Sequence, residues 1–149
     1  MYPQRLALLL GVLAAMSAPQ AGALEFRSVK TTGTLLYEAP AVSAQKLFVV
    51  SRYYPVEVLS TDGDWARVRD ATGSIAWIRR AALSPQRMLL VVADRAVVRA
   101  AADASAPVAF TVPKNGVLEL TRAPTGAWVA VRHRDGSSGF ARLSDLWGL

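Results

Sequence analysis

The chain has 149 residues, no cysteine, one histidine and a formal charge of +6. That length holds one ordinary domain or two small ones. The lack of cysteine excludes disulfides and thiolate nucleophiles, a single His133 excludes a multi-histidine zinc site, and basic residues spread without a block argue against nucleic acid as a partner.

The first segment reads as a leader. Met1 to Arg5 is positively charged, Leu6 to Ala15 is apolar apart from Gly11, and Ala21-Gly22-Ala23 gives a small-x-small pattern. This predicts a secretory signal peptide over residues 1–23, cleaved before Leu24, and an exported protein that is periplasmic or secreted. The apolar run falls short of the about 20 residues a membrane-spanning helix needs, and no second run comes closer. Losing Arg5 with the leader leaves 16 Lys and Arg against 11 acidic residues, a net +5. Such a balance suits an anionic envelope surface and equally suits plain solubility.

Past Leu24 the chain reads as strands. In "PVEVLS", Val56 and Val58 alternate with Glu57. In "WARVRD", Ala66 and Val68 alternate with Trp65, Arg67 and Arg69; in "IAWIRR", Ala76 and Ile78 alternate with Ile75, Trp77 and Arg79. A period of two marks half-buried strands, and the runs are bounded by Thr61-Asp62-Gly63-Asp64 and Asp70-Ala71-Thr72-Gly73, both turn-forming. Glu57 is expected on a solvated face. The segments "AALS" and "LSDL" are expected to form a helical turn.

The chain then repeats itself. At a spacing of 63, Trp65 meets Trp128, Val68 meets Val131, Arg79 meets Arg142 and Leu83 meets Leu146. Nearer the start the spacing is 62: Val29 meets Val91, Phe48 meets Phe110 and Glu57 meets Glu119. The extra residue enters at the turn before Trp128, as duplicated hairpins tolerate. Two units are therefore expected, 24–84 and 85–149, joined near Ser84-Pro85-Gln86-Arg87. Units this small are marginal alone, so they are expected to lean on each other.

The second copy resembles the bacterial SH3 family. The resemblance rests on Val98-Arg99, the apolar Val108 to Val112, Lys114-Asn115-Gly116, Gly126-Ala127-Trp128 with Val131, Gly139-Phe140-Ala141 and the closing Leu146. The first copy departs further, with Leu36-Tyr37-Glu38, Tyr53-Tyr54-Pro55 and Ala76-Trp77-Ile78 at the matching places. The resemblance implies an all-β chain of two tandem SH3-like small β-barrels, each of five to six strands. It also implies an exported wall-associated setting, with no catalytic residue set to carry over.

The candidate binding residues are aromatic or cationic. Trp65, Trp77 and Trp128 lie opposite the inward valines, Phe140 matches Trp77, and three uses compete: a cross-strand aromatic pair, a second core, or a ligand groove. Tyr53 and Tyr54 sit at a loop-like position, with one of the two expected in the core. Tyr37 and Arg99, at matching positions, face a groove or simply end a strand. Ser137, His133 and Asp135 share a turn without an oxyanion motif, so no enzyme activity, cofactor or metal is expected. The expected role is binding of peptidoglycan or its stem peptides. The alternatives are an adaptor that takes an envelope protein's peptide, or a structural scaffold.

Overall fold

The computed structural model describes residues 24–149. The expected signal peptide lies outside the described residues. Fourteen short strands follow in chain order. They are β1 (Glu25–Val29), β2 (Thr34–Tyr37), β3 (Lys46–Val50), β4 (Pro55–Asp62), β5 (Trp65–Arg69), β6 (Ile75–Arg79), β7 (Leu83–Ser84), β8 (Met88–Val91), β9 (Arg95–Arg99), β10 (Val108–Pro113), β11 (Val117–Leu120), β12 (Trp128–Arg132), β13 (Ser138–Arg142) and β14 (Leu146–Trp147). A single 3-10 turn precedes the last strand of each half, Arg80–Ala82 and Leu143–Asp145.

The strands form two sheets with one plan. The first runs β3-β2-β6-β5-β4-β1-β7 and the second β10-β9-β13-β12-β11-β8-β14, the same order shifted by seven. All pairings are antiparallel. Each sheet has seven strands rather than five or six, because a two-residue strand after each 3-10 turn closes back on the first strand of its own half. Both sheets carry a bulge where the edge strand begins, at Leu36/Tyr37 and at Val108/Phe110.

Alternation sets the two cores. Val29, Leu36, Val56, Ala66, Val68, Ala76 and Ile78 pack in the first half. Leu89, Val91, Val98, Leu118, Val129, Val131 and Ala141 are among those packed in the second. Every residue read as inward in β4, β5 and β6 belongs to the first core or packs against it.

The opposite face of β1 and β8 is buried too. Phe26 is 4% exposed, Ser28 1%, Met88 6% and Leu90 5%. Phe26 meets Trp147 of the second half edge to face, centroids 5.2 Å apart, with the Arg87 guanidinium 5.4 Å from its ring. Ser28 Oγ donates to the Gln86 carbonyl at 2.8 Å, and Arg87 Nη2 donates to the Gly148 carbonyl at 2.8 Å. The two halves thus share a seam.

That seam corrects one expectation. Glu57 is not solvated: it is 5% exposed, beside Phe26 in the β1–β4 register. Its charge is met by its other cross-strand partner, Arg69, whose Nε and Nη2 donate to Oε2 at 2.9 and 2.6 Å. Glu119 and Arg132 repeat the pair at 3.1 and 2.8 Å in more open surroundings.

The turn after each edge strand has one residue in the left-handed region. It is Tyr53 (φ 71°) in the first copy and Asn115 (φ 68°) in the second. Asn tolerates this region; Tyr is strained there by about 1 kcal/mol. Gly116, the next residue of that turn, is required for a different reason: a side chain there would collide with Val112.

Candidate functional site

Three of the sequence candidates meet on the outer face of the first domain. Tyr37 on β2 is the direct cross-strand partner of Trp77 on β6. Trp65 on β5 stands opposite Arg79, with Arg67 opposite Trp77. The aromatic partner of Trp65 is Tyr37, edge to face at 5.2 Å, and the Arg79 guanidinium lies 4.8 Å from the centre of the indole. These covers leave Trp65 only 8% exposed. Trp65 does share a face with Arg67 and Arg69, but a ring from β2, on the far side of β6, closes over it. Tyr37 and Trp77 stay half-buried and present the accessible aromatic surface.

The second domain carries the same arrangement with one substitution. Trp128 on β12 faces Arg142 on β13, whose guanidinium sits 4.9 Å over the indole. Phe140 takes the place of Trp77, and Arg99 takes the place of Tyr37, paired with Phe140 across β9 and β13. Arg99 turns its Nη1 to the Ala106 carbonyl at 2.8 Å and ties down the β9–β10 loop instead of capping the indole. Without a tyrosine cap, Trp128 is more open than Trp65. A cleft of about 280 Å³ forms there, with Trp128, Phe140 and Ala130 as its floor and Arg122, Ala123 and Thr125 at its side. The Arg122 guanidinium lies 5.3 Å from the Phe140 ring. Nothing in the repeat singles out Arg122, because at the spacing of 62 it meets Ser60, which carries no charge. The arginines over the indoles did leave a trace, since Arg79 and Arg142 are one repeat apart.

Tyr53 and Tyr54 lie elsewhere, in the β3–β4 turn. The Arg52 guanidinium stacks 4.6 Å over the Tyr53 ring. Tyr54 packs against the core of the first domain. Burial, and secondarily the Asp70 charge, push its phenol above the usual tyrosine range. The two tyrosines do not join the Tyr37–Trp77 surface; they border the opening between the domains.

The polar groups are arranged as turn chemistry. His133 Nδ1 lies 3.2 Å from Asp135 Oδ1, but that same oxygen accepts the Ser137 backbone N–H at 2.8 Å. Hydrogen bonds from Ser137 hold the Asp135 carboxyl below its ordinary range. In the first copy the Asp70 carboxylate accepts the backbone N–H groups of Thr72 and Ser74 at 2.8 and 3.1 Å. Among the described residues, no hydrogen bond joins the Ser137 hydroxyl to the imidazole, and no three His, Asp or Glu side chains gather as metal ligands do. What the geometry offers is recognition: flat rings flanked by guanidinium groups, able to stack, donate hydrogen bonds and attract negative charge.

A family model described as bacterial SH3 domain matches residues 32–84, and a second of the same description matches residues 92–148. No curated protein matches the chain. Among solved structures, NlpC2 from Trichomonas vaginalis is 18% identical with a TM-score of 0.38, over 84% of this chain and 48% of that one. NlpC1 from the same organism is 17% identical with a TM-score of 0.37, over 93% and 50%. An NlpC/P60 family protein from Bacillus cereus ATCC 10987 is 14% identical with a TM-score of 0.37, over 82% and 55%. The chain spans about half the length of these structures.

Proposed function

Given that the chain consists of two bacterial SH3 domains in tandem, we propose that it is an exported, non-catalytic binding protein of the cell envelope that holds peptidoglycan or its stem peptides. Bacterial SH3 domains are generally binding modules, commonly for the cell wall. The observation that carries the reading is the open Trp128–Phe140 cleft with Arg122 and Arg142 over its rings. A sugar ring or peptide plane stacks on such a floor, and the guanidinium groups donate to carbonyl, hydroxyl or carboxylate oxygens. The first domain presents the related Tyr37–Trp77 surface, and two weak sites on one chain gain through effective concentration. The charged start, apolar run and Ala21-Gly22-Ala23 of residues 1–23 support export.

The test is co-sedimentation of the purified protein with isolated sacculi. Stacking and short hydrogen bonds predict binding that survives moderate salt, whereas binding through the net charge alone fades as the Debye length falls to about 8 Å. The Trp128→Ala, Phe140→Ala double variant, folded by circular dichroism, should no longer sediment. Full sedimentation of that variant would refute this cleft as the site.

The adaptor reading has its own support at the free edge of the first sheet. There β3 exposes three consecutive apolar residues, Leu47 (37%), Phe48 (44%) and Val49 (68%). An open apolar edge suits strand addition by a partner's extended segment. Absence of sedimentation at any salt, with a discrete envelope protein captured instead, would favour it.

A further inference from the structure

The seam between the domains opens into a cleft of about 560 Å³, within the range that small ligands and short peptides occupy. Two of its walls are the same element taken once from each copy: the end of β3 and its following turn, with Val50 and Arg52, and the end of β10 and its following turn, with Val112 and Asn115. The third wall is His133 and Arg134, from the turn between β12 and β13. The matching turn of the first copy carries Asp70 and Ala71 and does not reach the cleft. At the two positions that line the opening, the second copy therefore has His133 and Arg134 where the first has Asp70 and Ala71.

The charge of the cleft is one-sided. Arg52 and Arg134 are both exposed, and among the described residues neither is engaged in an ion pair. No acidic side chain lines the cleft. Asp135 faces His133 from its own turn, and Glu119, in the smaller opening alongside, is already held by Arg132. Between the cations the walls are apolar, made by Val49, Val112 and Val117 with Pro113. An inorganic anion would satisfy the guanidinium groups and leave Val49, which is 68% exposed, in water. A ligand matched to the whole cleft carries a carboxylate and an apolar side chain within a few bonds of each other.

We propose that this cleft binds a short acidic peptide, its carboxylate held by Arg52 and Arg134 and an adjacent aliphatic side chain packed on Val49, Val112 and Val117. The site is separate from the Trp128–Phe140 cleft and stands whether or not that cleft binds the wall. It also explains why the domains need a fixed seam, since neither domain alone supplies both guanidinium groups.

The test is a titration of the ¹⁵N-labelled protein with acetyl-Val-Glu-Val bearing a free C-terminal carboxylate. The expected shifts cluster at the amides of Arg52, Asn115, Gly116 and Arg134. Arg52→Ala and Arg134→Ala should each weaken binding by roughly tenfold, the usual worth of one charge-assisted hydrogen bond at a partly exposed site. Arg80→Ala, at the far 3-10 turn, should leave it unchanged. The neutral peptide acetyl-Val-Gln-Val amide and inorganic phosphate should each bind at least tenfold more weakly. Both cleft arginines lie on exposed turns, and the amide spectrum of each variant reports whether its fold is retained. Absence of shifts at millimolar peptide, equal binding of the neutral peptide or of phosphate, or an equal loss with Arg80→Ala would overturn the assignment. Shifts centred on Trp128 and Phe140 instead would do so as well.

Discussion

The chain contains one ion pair twice, in two different environments, and that makes a controlled experiment. Arg69→Met and Arg132→Met remove the same group from the same register position of each copy. In the first copy the partner carboxylate is nearly sealed, with Glu57 7% exposed at its side chain and Arg69 43%. In the second, Glu119 is 27% exposed and Arg132 51%. Removing one partner of a buried pair costs about 3–5 kcal/mol, because the remaining charge is stranded. Arg69 itself stands half in water, so its loss also lets some water reach Glu57, and about 2 kcal/mol is the reasoned figure. Removing Arg132 leaves a carboxylate that water already reaches, and the cost should stay below about 1 kcal/mol. Urea unfolding monitored by tryptophan fluorescence reads both values. Adding Glu57→Leu to Arg69→Met should recover much of the loss, because no buried charge then remains. Equal costs for the two arginines, or the larger one at Arg132, would show that the burial of Glu57 has no energetic weight.

Three further outcomes follow from the same contacts. Phe26→Ala removes the ring between Trp147 and Arg87. It should cost about 3 kcal/mol and split thermal unfolding by calorimetry into two steps; one unshifted transition would refute the seam. Gly139→Ala places a methyl 2.5 Å from the Arg99 carbonyl and 2.7 Å from Val98 Cγ1, whereas the first copy accommodates Ala76 at that position. It should destabilise the second domain by at least about 1 kcal/mol, read as a lowered melting temperature. The Tyr54 phenol, raised above its reference value of 10.0 by burial and then by Asp70, keeps its proton longer in the folded state. The stability it contributes is complete below pH 10.0 and falls as pH rises through the folded pKa, so melting temperatures should drop above that point and drop less in Tyr54→Phe. Tyrosinate absorbance titrating at the ordinary position would contradict this.

The architecture was legible because a pattern of period two appears twice at a nearly constant offset. Val56, Val68 and Ile78 are core in one copy, and Leu118, Val131 and Ala141 are core in the other. Alternation says which face of a strand is inward, but not what lies against its other face. Glu57 and Phe26 are buried by contacts across the seam and by a cross-strand arginine, and no pattern within their own strands encodes that. Trp65 was read correctly as outward from the core and is nevertheless covered, because Tyr37 comes from a strand 28 positions earlier in the sequence. The extra strands escaped notice because two residues are too few to show a period. Of the aromatic candidates, Tyr37, Trp65 and Trp77 converge, as do Trp128 and Phe140. Tyr53 and Tyr54 belong to the opening between domains, which is assembled from turns distant in sequence and has no signature along the chain.

The seam also orders events in time. Each sheet is completed by a strand that pairs with the first strand of its own half, β7 with β1 and β14 with β8. The first domain can therefore close its backbone hydrogen bonds as soon as Ser84 has been made, without help from downstream sequence. Its Phe26 ring cannot be covered then, because Trp147 is synthesised 121 residues later and is placed only by β14. While the second domain is being made, the nascent chain displays a finished sheet with the Phe26 side chain uncovered beside the Glu57 carboxylate. Docking of the second domain is the step that removes this exposed surface. A slowed or truncated second domain should thus show its defect first as self-association through the face of β1, before any loss of structure in the domain that carries it.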